Sequence, residues 1–246
     1  MNFPGVVEKL PPVPLDDVST ASSAETAPVA VPRYLEEVYT WAYLNPRNVA
    51  LLDRPSVVNG LLFGNARRLT RAVMAEIGRG DRVLLPAHVY GNFVNKLAAY
   101  LGPSGELDVI DVAPVQVARC RRKVTGLPQV TVRLADAADP GGGPYDAVTC
   151  FFLLHEVPDG KKRAIIDGLL GALQPRGKAV FVDYHRPHWW HPLRPILGTV
   201  NACLEPFAKA LWRHDIAEFA GRPSDFTWSK RTYFGGLYQK VVARRR

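Results

Sequence analysis

The sequence predicts a doubly wound α/β fold around a mostly parallel, seven-stranded sheet. Three observations point there. Between residues 82 and 183, short apolar runs alternate with segments of helical periodicity, the rhythm of strands joined by helical crossovers. Those runs are rich in Val, Leu, Ile and Phe with few polar interruptions, as expected of strands covered on both faces. The chain has 246 residues with 47% hydrophobic and 22% charged side chains, enough for one such domain with appendages.

Residues 1–32 read as a disordered tail. Pro4, Pro11, Pro12, Pro14, Pro28 and Pro32 punctuate it around a run of small polar residues, which buries too little apolar surface to offset its ordering entropy. Residues 33–80 read as helices forming a lid. Tyr34, Val38, Trp41 and Leu44 share a helical spacing that Pro46 ends or bends. A longer helix is expected from 55 to 77, with Val58, Leu61, Leu62, Leu69, Val73 and Ile77 on one face and Arg67, Arg68 and Arg71 on the other. Gly78 and Gly80 supply its stop.

Residues 81–246 read as the Rossmann-like domain. Strands are expected at 82–85, 107–111, 130–134, 147–152 and 178–183, with helices at 93–101, 115–124 and 161–173. Crossover handedness makes the doubly wound order the economical one. The end departs from this rhythm. Residues 188–220 form an insertion with an apolar helical stretch over 193–219. Two further runs around Gly235 and Gly236 read as an antiparallel hairpin at the sheet edge.

Lys and Arg number 31 against 23 Asp and Glu, a net charge of +8. That excess favours phosphate-bearing partners or an anionic lipid surface, or is a solvated basic face. No nucleic-acid-binding motif accompanies it, so no nucleic-acid partner is expected. Cys120, Cys150 and Cys203 are too scattered for a disulfide framework or a Cys-x-x-Cys metal site, which points to a reducing, cytoplasmic compartment. The start lacks the basic and apolar regions of a signal peptide.

In an open parallel sheet the ligand lies beyond the carboxyl ends of the strands, at the switch in strand order. Four strand ends carry polar residues there: His88, Tyr90 and Gly91 after the first, Asp111 after the second, Asp136 after the third, and His155 and Glu156 after the fourth. A carboxylate ending strand two accepts hydrogen bonds from a ribose diol; one after strand three suits an adenine amine. Together they indicate an adenosine ligand, although each Asp has a rival role as a helix cap. Val112, Ala137 and Phe152 complete the expected cofactor contacts.

The order of Val83, Gly91, Asp111, Asp136, the 154–159 run Leu-His-Glu-Val-Pro-Asp and the 173–177 run Leu-Gln-Pro-Arg-Gly resembles class I S-adenosylmethionine-dependent methyltransferases. The Val157-Pro158-Asp159 ending resembles the quinone-modifying members. Where those enzymes carry Gly-x-Gly-x-Gly, letting the backbone approach the methionine part of the cofactor, residues 87–91 read Ala-His-Val-Tyr-Gly.

A more specific resemblance shares that departure. The runs 41–44, 89–91, 111–117, 150–159, 182–185, 190–193 and 232–240 are similar to the rhodoquinone biosynthesis family of purple bacteria and some eukaryotes. The resemblance implies replacement of a methoxy group of ubiquinone by an amino group, with S-adenosylmethionine as nitrogen donor and a divalent metal, manganese by preference. Imidazole and carboxylate suit such a metal, and His155, Asp183 and His185 are its expected ligands. Asp183 and His185 are two apart and so on one side of an extended segment. Tyr90, His155, Glu156, Asp183 and His185 form the expected catalytic set.

A lipid quinone implies a membrane-surface enzyme, peripheral on the inner membrane. The apolar, Trp-containing stretch 189–211 suits an interfacial helix, and the aromatic stretch 34–43 suits a cover for the quinone; both also fit core packing. A quinone methyltransferase and a non-catalytic lipid-binding module are the competing readings.

Overall fold

The computed structural model describes residues 32, 33, 35, 45–194 and 207–246. Helices α1 (Pro46–Leu52), α2 (Pro55–Leu61) and α3 (Ala66–Met74) precede β1 (Arg82–Leu85). Then follow α4 (Phe93–Leu101), β2 (Glu106–Asp111), α5 (Pro114–Lys123), β3 (Val130–Leu134) and β4 (Tyr145–Phe151). The chain continues through α6 (Asp159–Gly171), β5 (Leu173–Tyr184), a short α7 (Ala210–Arg213), β6 (Phe226–Tyr233) and β7 (Tyr238–Arg245).

The sheet order is β3-β2-β1-β4-β5-β7-β6. Strands β1 to β5 pair in parallel. The last hairpin folds back so that β7 runs antiparallel between β5 and β6. Strand order reverses between β1 and β4, which opens the crevice at their carboxyl ends.

Alternate residues of each strand enter opposite cores. Val83 and Leu85 of β1, with Val180 and Val182 of β5, meet Leu69, Val73, Val94, Leu97 and Val117 from α3, α4 and α5. Leu84, Val148, Ala179 and Phe181 meet Ile165, Ile166 and Leu169 of α6 on the other face. Cover on both faces explains the nearly uninterrupted apolar strands.

Three expectations change. The helix expected over 55–77 is two helices. After α2 the chain enters the left-handed region at Phe63 (φ 48) and Gly64 (φ 79). There Gly64 N–H donates to the Asn59 carbonyl at 2.8 Å and Phe63 N–H to that of Gly60 at 2.9 Å, a Schellman ending. A helix absent from the expected set begins at Pro46: Asn45 Oδ1 caps α1 by accepting from the Arg47 and Asn48 N–H groups, and Pro suits a first turn; the helix expected before Pro46 lies outside the described residues apart from Leu35. The helix expected to run to 219 is broken after α7, where Asp215 and Glu218 form a capping box for a separate short turn. The tail before Pro32, the aromatic cover at 34–43 apart from Leu35, and the segment 195–206 lie outside the described residues. Among the described residues no helix is long and apolar enough to cross a membrane.

Candidate active site

The site forms where the loops after β1, β2, β4 and β5 converge. The loop after β1 is held from both sides. The backbone N–H of His88 donates to Asp111 Oδ2 at 2.9 Å, and Asp111 Oδ1 accepts from Ala113 N–H at 2.9 Å. Gly91 is left-handed (φ 78), and a Cβ there would come within 3.3 Å of the Val58 side chain; only glycine lets α2 approach this closely.

Gln116 of α5 ties the two side chains that replace glycines. Its Oε1 faces His88 Nδ1 at 2.9 Å, and its Nε2 donates to the Tyr90 hydroxyl at 2.8 Å. The His88 and Tyr90 rings meet edge to face, 5.8 Å apart. His88 is buried, and among the described residues its Nε2 has no partner. Burial, and then the charge of Lys123, hold its imidazole down at about 4, so it is neutral at physiological pH. Burial also pushes the Tyr90 hydroxyl well above the ordinary phenol value.

Beneath this loop lies a charged cluster that sequence reasoning missed. Asp53, 5% exposed at the end of α1, accepts from Gly91 N–H at 2.9 Å and from Arg119 Nε at 2.8 Å, and pairs with Lys123. Lys123 also donates to the Gly91 carbonyl at 2.8 Å. Burial lowers the Lys123 pKa, opposed by Asp53. The cluster fixes α1 and the loop to α5. The one available signal was a polar Gln116 on the same helical stripe as buried Val117 and Cys120; nothing near Asp53 announced a partner.

Asp111, half-buried, ends β2 as expected. Burial pushes its carboxyl up to about 6, opposed by the N–H groups of Ala113, His88 and Val112. Ionising it therefore costs the fold. Its contribution to stability is full below about 4 and is lost as pH rises through about 6. A ribose diol needs the ionised acceptor. S-adenosylhomocysteine is accordingly expected to bind about tenfold more weakly near pH 5 than near pH 7, and Asp111→Asn to flatten that dependence, as titration calorimetry would read. Val112 is half-buried beside it. Asp136 shows its capping role: Oδ1 accepts from Ala138 N–H at 2.9 Å and Oδ2 pairs with Lys161 of α6. Ala137 is buried next to it.

After β4 the backbone takes a left-handed step at Phe152 (φ 53), costly for an aromatic residue and typical of a functional loop. The short turn Leu154–Glu156 follows. Asp183, 1% exposed on β5, organises it. Its Oδ2 accepts from Leu154 N–H at 2.8 Å and His155 N–H at 3.3 Å, while Oδ1 accepts from Tyr184 N–H at 2.7 Å and faces His155 Nδ1 at 2.8 Å. His155 Nε2 lies 3.6 Å from Glu156 Oε1, and both residues are buried. This is a carboxylate-oriented imidazole with its second nitrogen set to hold or move a proton. The rings of Phe152, Tyr184 and Tyr238 are in mutual contact at 5.3–5.7 Å, and His155 lies edge-on to Tyr184 at 4.8 Å. Tyr238 is fully buried, and among the described residues its hydroxyl has no partner.

The expected metal set is not assembled. Among the described residues no three His, Cys, Asp or Glu side chains are grouped to hold an ion. The reason lies in the donors: Asp183 spends both oxygens on the β4 loop and Tyr184, and His185 Nδ1 bonds the Gly236 carbonyl at 2.9 Å. Burial lowers the His185 pKa, opposed by that bond. These residues do not fit a metal, and His185 is separate from the His155–Asp183 pair.

Comparison with known proteins agrees with this geometry. Residues 86–177 match the family described as Methyltransferase domain. The fold is that of class I S-adenosylmethionine-dependent methyltransferases, and the residues present fit the cofactor: a carboxylate ends β2, and beside it stands a buried imidazole nitrogen without a partner among the described residues. A protein of Synechocystis described as an uncharacterized methyltransferase is 29% identical over 213 residues, covering 83% of this chain and 94% of that protein. The ubiquinone/menaquinone biosynthesis C-methyltransferase UbiE of Ectopseudomonas mendocina is 26% identical over 172 residues, 66% of each chain. Among solved structures, a SAM-dependent methyltransferase from Aquifex aeolicus superposes with a TM-score of 0.53 at 18% identity, covering 82% of this chain and 99% of that one. Human N-acetylserotonin methyltransferase in complex with SAM gives 0.56 at 16% identity, covering 87% and 60%. At these identities the structural likeness concerns the fold.

Proposed function

We propose that this protein transfers the amino group of S-adenosylmethionine to the ring of a lipid quinone, replacing a methoxy group. The observation that carries the reading is the loop after β1. Two large side chains tied together through Gln116 occupy positions where the resemblance to class I methyltransferases implies glycines, and the motif resemblance to the rhodoquinone family includes this same departure. S-adenosylmethionine supplies the nitrogen: its amine displaces methanol from the ring, and with water its Cα–N bond breaks, leaving a 2-oxo acid and the aminohydroquinone.

The chain's own residues divide the work. Asp111 holds the ribose, and the His88–Tyr90 loop lines the 5′ side of the adenosine. His155, oriented by Asp183, takes up the proton released as the nitrogen adds and delivers it to the departing methoxy oxygen, as general acid–base chemistry requires. The half-buried rings of Phe152 and Tyr184 suit contact with a flat quinone, and the buried Tyr238 hydroxyl behind them is a donor for its carbonyl. Trp189 and Trp190 are 81% and 59% exposed, which suits contact with the headgroup region of a membrane holding the quinone.

Tyr238→Phe removes only that hydroxyl. It is expected to raise KM for a short-tail ubiquinone about tenfold, the worth of one buried hydrogen bond, with S-adenosylmethionine affinity unchanged. Equal KM in the variant would take Tyr238 out of the quinone site.

Methyl transfer to a quinone ring is the second reading. It is favoured by the descriptions of the two relatives as methyltransferases, and it leaves S-adenosylhomocysteine where amination leaves a 2-oxo acid.

A further inference from the structure

We infer that His88 Nε2 accepts a hydrogen bond from the α-ammonium of bound S-adenosylmethionine and is the atom by which this loop recognises the amine. The inference rests on the proposed use of that cofactor and names one contact within it.

The tautomer follows from the network. Gln116 places its Nε2 on the Tyr90 hydroxyl and its Oε1, an acceptor, 2.9 Å from His88 Nδ1. Nδ1 therefore carries the hydrogen, and Nε2 presents a lone pair. His88 is 6% exposed, and among the described residues Nε2 has no donor. A buried acceptor left unpaired is costly, and a ligand that brings a donor removes that cost. Burial and Lys123 keep the ring unprotonated near neutral pH, so the missing partner is a donor and not an anion.

The position identifies the donor. His88 is bonded through its own N–H to Asp111, the ribose-facing carboxylate at the end of β2. In an adenosine ligand seated on the first strand's turn, the groups beside that turn are those attached to the 5′ carbon of the ribose. In S-adenosylmethionine these are the sulfonium, the carboxylate and the ammonium. The ammonium alone carries hydrogens to donate.

Calorimetry on the full chain tests this with S-adenosylhomocysteine, its analogue with hydrogen in place of the amino group, and its analogue lacking the carboxylate. His88→Phe is expected to weaken S-adenosylhomocysteine and the decarboxylated analogue about tenfold or more, and to leave the deaminated analogue unchanged. His88→Gln, which restores an acceptor, is expected to recover part of the loss. Should His88→Phe fail to fold, nitrogen-15 histidine spectra of the wild type give the same answer: the unprotonated nitrogen of His88 shifts with S-adenosylhomocysteine and not with the deaminated analogue. Equal losses for all three ligands, or a loss that follows the carboxylate, would overturn the inference. A wild type that binds none of them would overturn the cofactor reading itself, and this contact with it.

Discussion

Asp53→Ala is expected to destabilise the protein by about 3–5 kcal/mol, because it strands buried positive charge. The Asp53 side chain is 1% exposed, and Lys123, its partner, is 13% exposed. Without the carboxylate, Lys123 and Arg119 lose the charge between them, and Gly91 N–H loses its acceptor. Denaturant unfolding should show the midpoint falling. At temperatures where the variant stays folded, cofactor affinity should fall as well, since Asp53 fixes the His88–Gly91 loop against α1 and α5. Asp53→Asn keeps an acceptor for Gly91 and loses the charge, so it separates the two contributions. A stability change below about 1 kcal/mol would mean that water reaches the pair and screens it.

Asp183→Ala carries the second large effect. The substitution leaves the N–H groups of Leu154, His155 and Tyr184 and the imidazole of His155 without their acceptor. At 1–3 kcal/mol for a buried group left unpaired, a loss of at least about 3 kcal/mol is expected. The His155 ring also loses the partner that orients it, so turnover should disappear even in the folded fraction. Asp183→Asn should recover much of the stability and little of the turnover, since an amide offers one acceptor and no charge. A variant with unchanged stability and no activity would instead place Asp183 in direct contact with the reacting groups.

Asp183 also shows where sequence reasoning ends. A carboxylate at a strand end, two residues before a histidine, reads as a ligand pair. In the fold it bonds residues 28 and 29 positions away in the chain, a contact no local pattern encodes. The Asp53 cluster is the same case, with partners 38 to 70 positions distant. What periodicity does report is the strand set: the expected runs at 82–85 and 130–134 coincide with β1 and β3, because buried parallel strands leave an unmistakable apolar run. β5 starts five residues earlier than its apolar run. Its first part contains Pro175, and Arg176 sits at φ 71, so it carries no continuous apolar run. The split after α2 was hidden because the apolar stripe continues across it and only Gly64 marked the break. His88, Tyr90, Gly91 and Asp111 were placed at one site by strand order alone, and the fold brings them together there.

The central claim is that nitrogen, not the methyl group, leaves S-adenosylmethionine for a quinone. It is tested most directly by mass spectrometry of the product formed from a short-tail ubiquinone and S-adenosylmethionine carrying nitrogen-15 in the amine and carbon-13 in the methyl group. The reaction is run both with and without added manganese. The predicted product is an aminohydroquinone, detected as the aminoquinone after oxidation by air, that has gained nitrogen-15 and lost a methoxy group, with no carbon-13. A quinone that has gained carbon-13 and kept its methoxy groups would contradict the claim and make the protein a quinone methyltransferase.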